Sequence, residues 1–272
     1  MDDNNVNLSR VYHYKNPPFL DLISDWKEQS IQSISGEFSE RVNLIATILN
    51  LDYKIAGFYM PMLLKPNMAY KNPRTAILIS AYHRNLFAFL GSFELSKQGL
   101  FGPARSILRH IFESLVTAKF CSLSKDDKVY SQWKNGEAVY FGNGVLKMIV
   151  KPDTQSLNEY WKILSEFSHA TIYAQQFSLS WEHVSPNTQF TWDIILALLE
   201  CHYHLLISHL ATPSVKYYTE YSFRLINQKL VDELKSSKSL IKDLFKKSKV
   251  EMHPSLKRLA NDYKRTWQIK EK

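Results

Sequence analysis

Glycine is scarce in this chain, at 8 of 272 residues. All-β folds place many glycines in their turns, so the shortage points towards helices. Cysteine is scarcer still. Cys121 and Cys201 are the two, far apart in the chain and outside any Cys-x-x-Cys pair. That spacing argues against a disulfide framework and fits reduced thiols in a cytoplasmic protein. Apolar runs are short: none reaches the roughly 18 uninterrupted residues expected of a membrane-spanning helix. The most apolar window, Ile194–Leu210, is interrupted by Glu200, His202, His204 and His209 and reads as a buried core helix. The first residues, MDDNNVNLSRVYHYKNPP, have no apolar stretch behind a basic start, so no secretory signal is expected.

Common enzyme signatures are missing as well. There is no Gly-x-x-x-x-Gly-Lys-Ser/Thr phosphate loop, no Gly-x-Gly-x-x-Gly, no Gly-x-Ser-x-Gly elbow and no His-Glu-x-x-His. The usual ATPases, dehydrogenases, esterases and zinc proteases are thereby disfavoured, and no cofactor is called for.

What is present begins with charge. The net charge is +8, and residues 235–272 alone hold 12 Lys and Arg against 4 Asp and Glu. The first 234 residues balance, so an anionic partner would meet the C-terminal end most simply.

Hydrophobic spacing predicts an all-α fold, a bundle domain over residues 1–234 followed by basic amphipathic C-terminal helices over 235–272. Its centre is an antiparallel hairpin over about 74–122. Ile79, Tyr82, Leu86, Leu90 and Phe93 keep helical steps, and Gly99 makes a natural stop. Pro103 then opens a second helix whose stripe is Ala104, Leu108, Ile111, Leu115 and Ala118. Further helices are expected over 19–51 with a break near Gly36, and over 126–134, 137–149, 157–169, 192–210, 215–234, 239–250 and 254–267. Tyr59–Pro73 and Ser178–Phe190 read as irregular because of their prolines.

Arg105, Arg109 and Glu113 follow one another at four-residue steps and project from one helix face. Polar groups on one side of an apolar helix line a cleft or form a plain Arg109–Glu113 ion pair. This passage, with its Ala-Arg-x-x-x-Arg-x-x-x-Glu, and the later Leu-Ser-x-x-x-His ending at His169 resemble a group of bacterial all-helical proteins and the HEPN superfamily. The superfamily's hallmark is Arg, four to six residues, then His, a spacing met by Arg105 and His110. The resemblance implies a metal-independent ribonuclease in a phage-defence or toxin–antitoxin setting. It implies RNA as substrate and a protein partner in a defence complex, while the many Tyr, Phe and Trp residues, more than a small bundle centre needs, point to a homodimer. His110 would move a proton, Arg105 would stabilise charge on the phosphate, and Ser106 would orient either group. Five positions on an ideal helix turn about 500°, so Arg105 and His110 stand about 140° apart. A shared site therefore requires a distorted helix or a dimer that combines residues of two copies.

Other residues leave two readings each. His169 caps a helix end, where the dipole favours a cation, or joins Arg109 and Glu113 in a cleft. Glu200, His202, His204 and His209 share one helix, which offers at most two ligands to one point, so core histidines are expected rather than a metal site. Lys246, Lys257, Arg258, Lys264 and Arg265, with Tyr263 or Trp267 for stacking, suit a nucleic-acid or acidic-protein surface. Alternatively they form the solvated face of helices packed on the body. The rival function is a non-catalytic helical scaffold acting through this basic end, or a small-ligand sensor on the Arg105/Arg109 face.

Overall fold

The computed structural model describes residues 19–63, 73–168, 186–211, 221–248 and 250–270. Within them the fold is an all-α bundle. In chain order the helices are α1 (Phe19–Glu37), α2 (Ser39–Leu63), α3 (Pro73–Lys97), α4 (Phe101–Leu123), α5 (Lys128–Lys134), α6 (Asp153–Ser168), α7 (Pro186–Leu205), α8 (Tyr221–Lys247) and α9 (Pro254–Lys264). Two π-turns, Phe141–Leu146 and Leu206–Ala211, complete the set. The expected irregular lead over 1–18 and His169 lie outside the described residues.

The hairpin forms as the spacing predicts. Gly99 takes φ 75°, where a side chain would strain the backbone. Its N–H donates to the Ser96 carbonyl at 3.1 Å and the Leu100 N–H to the Leu95 carbonyl at 2.9 Å. These are the paired bonds of a Schellman stop. Gly91 and Ile107 face each other across the pair. Helix α4 is the hub, packing on α3, α6 and α7 through Ala104, Leu108, Ile111, Leu115 and Ala118. Helix α7 is buried on every side over residues 191–199, with Trp192 wholly enclosed. Thr188–His209 has the length and composition of a membrane span, but 78% of that window is buried inside the protein.

Several expected boundaries move, and the helix expected over 137–149 is instead the π-turn Phe141–Leu146 preceded by non-helical residues 137–140. Helix α2 runs through Pro61 to Leu63, because a proline in a last turn forfeits only one ladder bond. Pro186 opens α7 instead of lying in a loop, its fixed φ suiting a first helical position. The break expected between 215–234 and 239–250 is absent from the described residues: α8 runs through the Leu234/Lys235 boundary as one helix. The serines at 236, 237 and 239 weaken a helix only slightly, and no Gly or Pro breaks it.

The C-terminal end is built into the body. Leu256, Leu259, Tyr263 and Trp267 are buried, and α9 packs on α6 and α7. The Tyr263 hydroxyl donates to the Leu115 carbonyl at 3.0 Å. Beyond the helix, Ile269 forms an isolated antiparallel bridge with Ile149, and the Lys270 N–H donates to the Met148 carbonyl at 2.8 Å. The connector before α9 is tied down by buried Asp193, which accepts from the His253 N–H at 3.0 Å and from Arg41 Nε at 3.1 Å. Burial, opposed by these donors, leaves the Asp193 carboxyl above its ordinary value.

The histidines of α7 and its π-turn take separate structural roles. His202 is fully buried between Asp52 Oδ2 at 3.3 Å and the Tyr82 carbonyl at 3.2 Å. A carbonyl only accepts, so Nε2 donates to it, and the ring joins α2, α3 and α7 while stacking on Tyr82. His209 Nδ1 lies 2.9 Å from the Ser122 hydroxyl, which donates its own proton to the Lys119 carbonyl at 2.7 Å. Ser122 must therefore accept, and His209 carries a proton on Nδ1. Burial, then nearby Lys119, pushes its pKa down to about 4. An unfolded histidine takes a proton near pH ~6.5. Between these values the unfolded chain holds more protons, so stability present above pH ~6.5 is lost as pH falls towards about 4. We expect a loss of about 2 kcal/mol over that window, allowing for partial exposure. Urea midpoints measured across it should flatten in His209→Gln.

Candidate functional site

Helix α4 remains α-helical through the whole Arg105–His110 stretch, and the consequence for the expected pair is direct. Arg105 points inwards, fully buried, its Nε donating to Thr191 Oγ1 of α7 at 2.8 Å. Its guanidinium lies 5.8 Å from the Phe190 ring. Burial pushes the Arg105 pKa down to about 9. His110 is exposed and lines a cleft of about 300 Å³ that Arg105 does not reach. Within one chain the two residues are thus kept apart, as regular helix geometry requires. Ser106 orients neither of them: its hydroxyl donates to the Gly102 carbonyl at 3.3 Å, a back-bond within the helix.

The cleft has a different arginine. Arg84 reaches it from α3, beside Ser80, while α4 contributes His110, Glu113, Ser114 and Thr117. Trp133, Glu137, Val139 and Phe141 close the far wall. Hairpin register explains the meeting. With Gly91 opposite Ile107, antiparallel counting sets Arg84 beside Ser114, one helical turn from His110. Arg84 is exposed and makes no ion pair among the described residues. The sequence signal for it was the hairpin itself, read across the two helices instead of along one.

Glu113 is held at the edge of this cleft. Its Oε1 accepts from Arg109 Nε at 2.9 Å and from Trp161 Nε1 of α6 at 2.7 Å. The Arg109 guanidinium also lies 5.8 Å from the Trp161 ring. Arg109 and Glu113 therefore do meet, as the four-residue spacing predicts, and Trp161 is the partner that the spacing could not supply. Trp161 in turn rests on Gly142 of the first π-turn. A Cβ there would stand 2.8 Å from the indole. Gly142→Ala should push Trp161 from Glu113 and cost about 1–3 kcal/mol, read as a lower urea midpoint. π-turns of this kind are rare and recur at functional sites.

The basic C-terminal residues do not converge. Lys246, Lys257 and Arg258 are exposed, with Arg258 3.6 Å from Asp262. Arg265 lies 3.2 Å from Asp262, and Lys264 pairs with Glu200. Asp262 is buried and also accepts from the Ser156 hydroxyl at 2.6 Å. Two of the five cations thus pair locally with Asp262 of α9, whose tie to α6 is Ser156, and Lys264 ties α9 to α7. Among the described residues, no group of three His, Cys, Asp or Glu side chains is placed to hold a metal ion.

No family model, curated protein or solved structure matches this chain. The chemistry of the cleft rests on its own groups. An exposed imidazole can give or take a proton near neutral pH. A guanidinium offers a planar fork of donors to a phosphate. Glu113, already accepting two hydrogen bonds, is positioned to fix the cleft wall rather than to move freely.

Proposed function

We propose that this protein binds RNA in the Arg84–His110 cleft and cleaves it without a metal ion. The observation that carries this reading is the delivery of an exposed imidazole and a guanidinium with no ion pair among the described residues, from neighbouring helices, to one open cleft. In the reaction, His110 takes the proton of a ribose 2′-hydroxyl as that oxygen attacks the adjacent phosphorus. The bond to the 5′-oxygen breaks, water protonates the leaving oxygen, and a 2′,3′-cyclic phosphate and a 5′-hydroxyl remain. Arg84 stabilises the charge developing on the phosphate, the role first expected of Arg105. The HEPN resemblance sets such an activity in phage defence or a toxin–antitoxin pair, with a protein partner in the defence complex, and the many aromatic residues add a homodimer.

A second reading is favoured by the burial of Arg105, the residue on which the resemblance rests. In it, the same cleft binds RNA as a non-catalytic module. The test is incubation of a mixed RNA substrate with the full chain in EDTA, alongside His110→Ala and Arg84→Ala. Cleavage by wild type that both variants lose supports the nuclease. Binding without cleavage leaves the module, and cleavage unaffected by either substitution removes the cleft from both readings.

A further inference from the structure

Val139, in the far wall of the Arg84–His110 cleft, also lines a second cavity of about 450 Å³, which runs between α5 and the first π-turn. This volume lies in the range of small-ligand sites, about 300–1,000 Å³. Its floor is apolar, made by Phe120, Val129 and Met148. Two amides, Gln132 and Asn143, line it, and neither side chain makes a hydrogen bond among the described residues. At the rim stands Tyr140, whose side chain is 72% exposed. Such exposure is unusual for a large ring. Its backbone is nevertheless fixed, since its carbonyl accepts from the Gly144 N–H at 2.9 Å and the Val145 N–H at 3.1 Å. A flat ring on an anchored backbone is a platform, not a loose tip. Asp126 and Lys128 both line the same cavity and offset one another, and Lys147 sits next to lining residue Met148. The Lys270 ammonium donates to the Lys147 carbonyl at 2.7 Å, which adds a third positive charge to this end.

We infer that this second cavity is a nucleobase subsite, taking an unpaired base of single-stranded RNA on the Tyr140 ring while a neighbouring phosphate lies against Arg84 and His110. The inference rests on the proposed function and adds to it a requirement for single-stranded substrate. Stacking uses a π-face that every base has, and unpaired amides offer both a donor and an acceptor to a base edge. A base within a duplex has neither face nor edge free for such a cavity.

The experiment uses the full chain and a short fluorescein-labelled 2′-O-methyl oligonucleotide, which cannot be cleaved because its attacking hydroxyl is blocked. Affinity is read by anisotropy over a series of salt concentrations in EDTA. Tyr140→Ala should weaken binding about tenfold with the salt dependence unchanged, and Tyr140→Trp should restore it. Arg84→Ala should instead lower the slope of log K against log salt by about 0.7. Wild-type affinity in Tyr140→Ala would overturn the base subsite, and a reduced slope in Arg84→Ala in the same experiment would leave the phosphate cleft standing. No binding by wild type would sink both. Because Tyr140 is exposed, its loss leaves the fold intact, and unchanged circular dichroism checks this.

Discussion

His110→Ala is expected to slow metal-independent RNA cleavage by about 10²–10⁴-fold, the range that a positioned proton-transfer group contributes. The same substitution should leave stability within about 0.5 kcal/mol of wild type, because His110 is exposed and makes no hydrogen bond within the described fold. Arg105→Ala should show the opposite pattern. Arg105 is enclosed between α4 and α7, so its truncation empties core volume and removes the donor to Thr191. Its activity per folded molecule should survive. Two assays on each variant, urea unfolding and RNA cleavage in EDTA, separate the roles. If Arg105→Ala abolished cleavage while remaining as stable as wild type, the assignment of the phosphate contact to Arg84 would be wrong.

The second large effect concerns a residue that no motif marks. Lys119 is buried in α4, and its ammonium donates to the carbonyls of Tyr263 and, at 2.7 Å, Arg265. It also lies 4.0 Å from the centre of the Trp267 ring and 4.8 Å from that of Tyr263. A helix C-terminus presents carbonyls without partners and a partial negative charge, and one lysine answers both. Lys119→Ala should cost about 3 kcal/mol, through the unmet carbonyls and the emptied space. Hydrogen exchange should rise over 265–270, whose pairing with 148–150 depends on that turn. Lys119→Met should lose less, since it keeps the apolar contact and removes a buried charge.

Lys119 also carries a pH signature. Burial, only partly opposed by Cys201 and Asp153, pushes its pKa from 10.5 to about 8. Between those values the unfolded chain binds more protons than the folded one, so this group adds stability as pH rises. The gain of wild type over Lys119→Met across the window should be on the order of 2 kcal/mol. Tyr160 and Tyr263 work in the opposite sense, because burial raises both phenols. Comparison with the Met variant isolates the lysine from them. A flat difference between the two proteins would show that Lys119 binds its proton equally in the folded and unfolded chains, so that burial does not depress its pKa.

The parts of this molecule legible without a structure are those set by short-range rules. Glycine shortage and the stripe from Ala104 to Ala118 point to helices because side-chain periodicity is a property of the backbone itself. Gly99 marks the hairpin because a left-handed residue is needed where a helix stops and glycine adopts it without strain. Arg109 and Glu113 meet because four residues make one turn. The same local rule already placed Arg105 and His110 on different sides of α4, and the helix stayed regular.

Which face meets which neighbour is another matter. It depends on the packing of helices distant in the chain. Arg84 shares a cleft with His110 because α3 folds back along α4, and Trp161 holds Glu113 because α6 crosses the same surface. Arg105 and Lys119 are both charged residues on α4, and only the arrival of α7 and α9 makes them interior. The basic C-terminal end left two readings open, a binding surface or helices packed on the body, because charge is visible in a sequence and burial is not. Its apolar stripe, from Leu256 to Trp267, found a place in the core of its own chain. By itself, the sequence determined the helices and the hairpin, whose interactions span a few residues; the tertiary structure decided which charges line a cleft and which are buried, because those contacts join segments far apart in the chain.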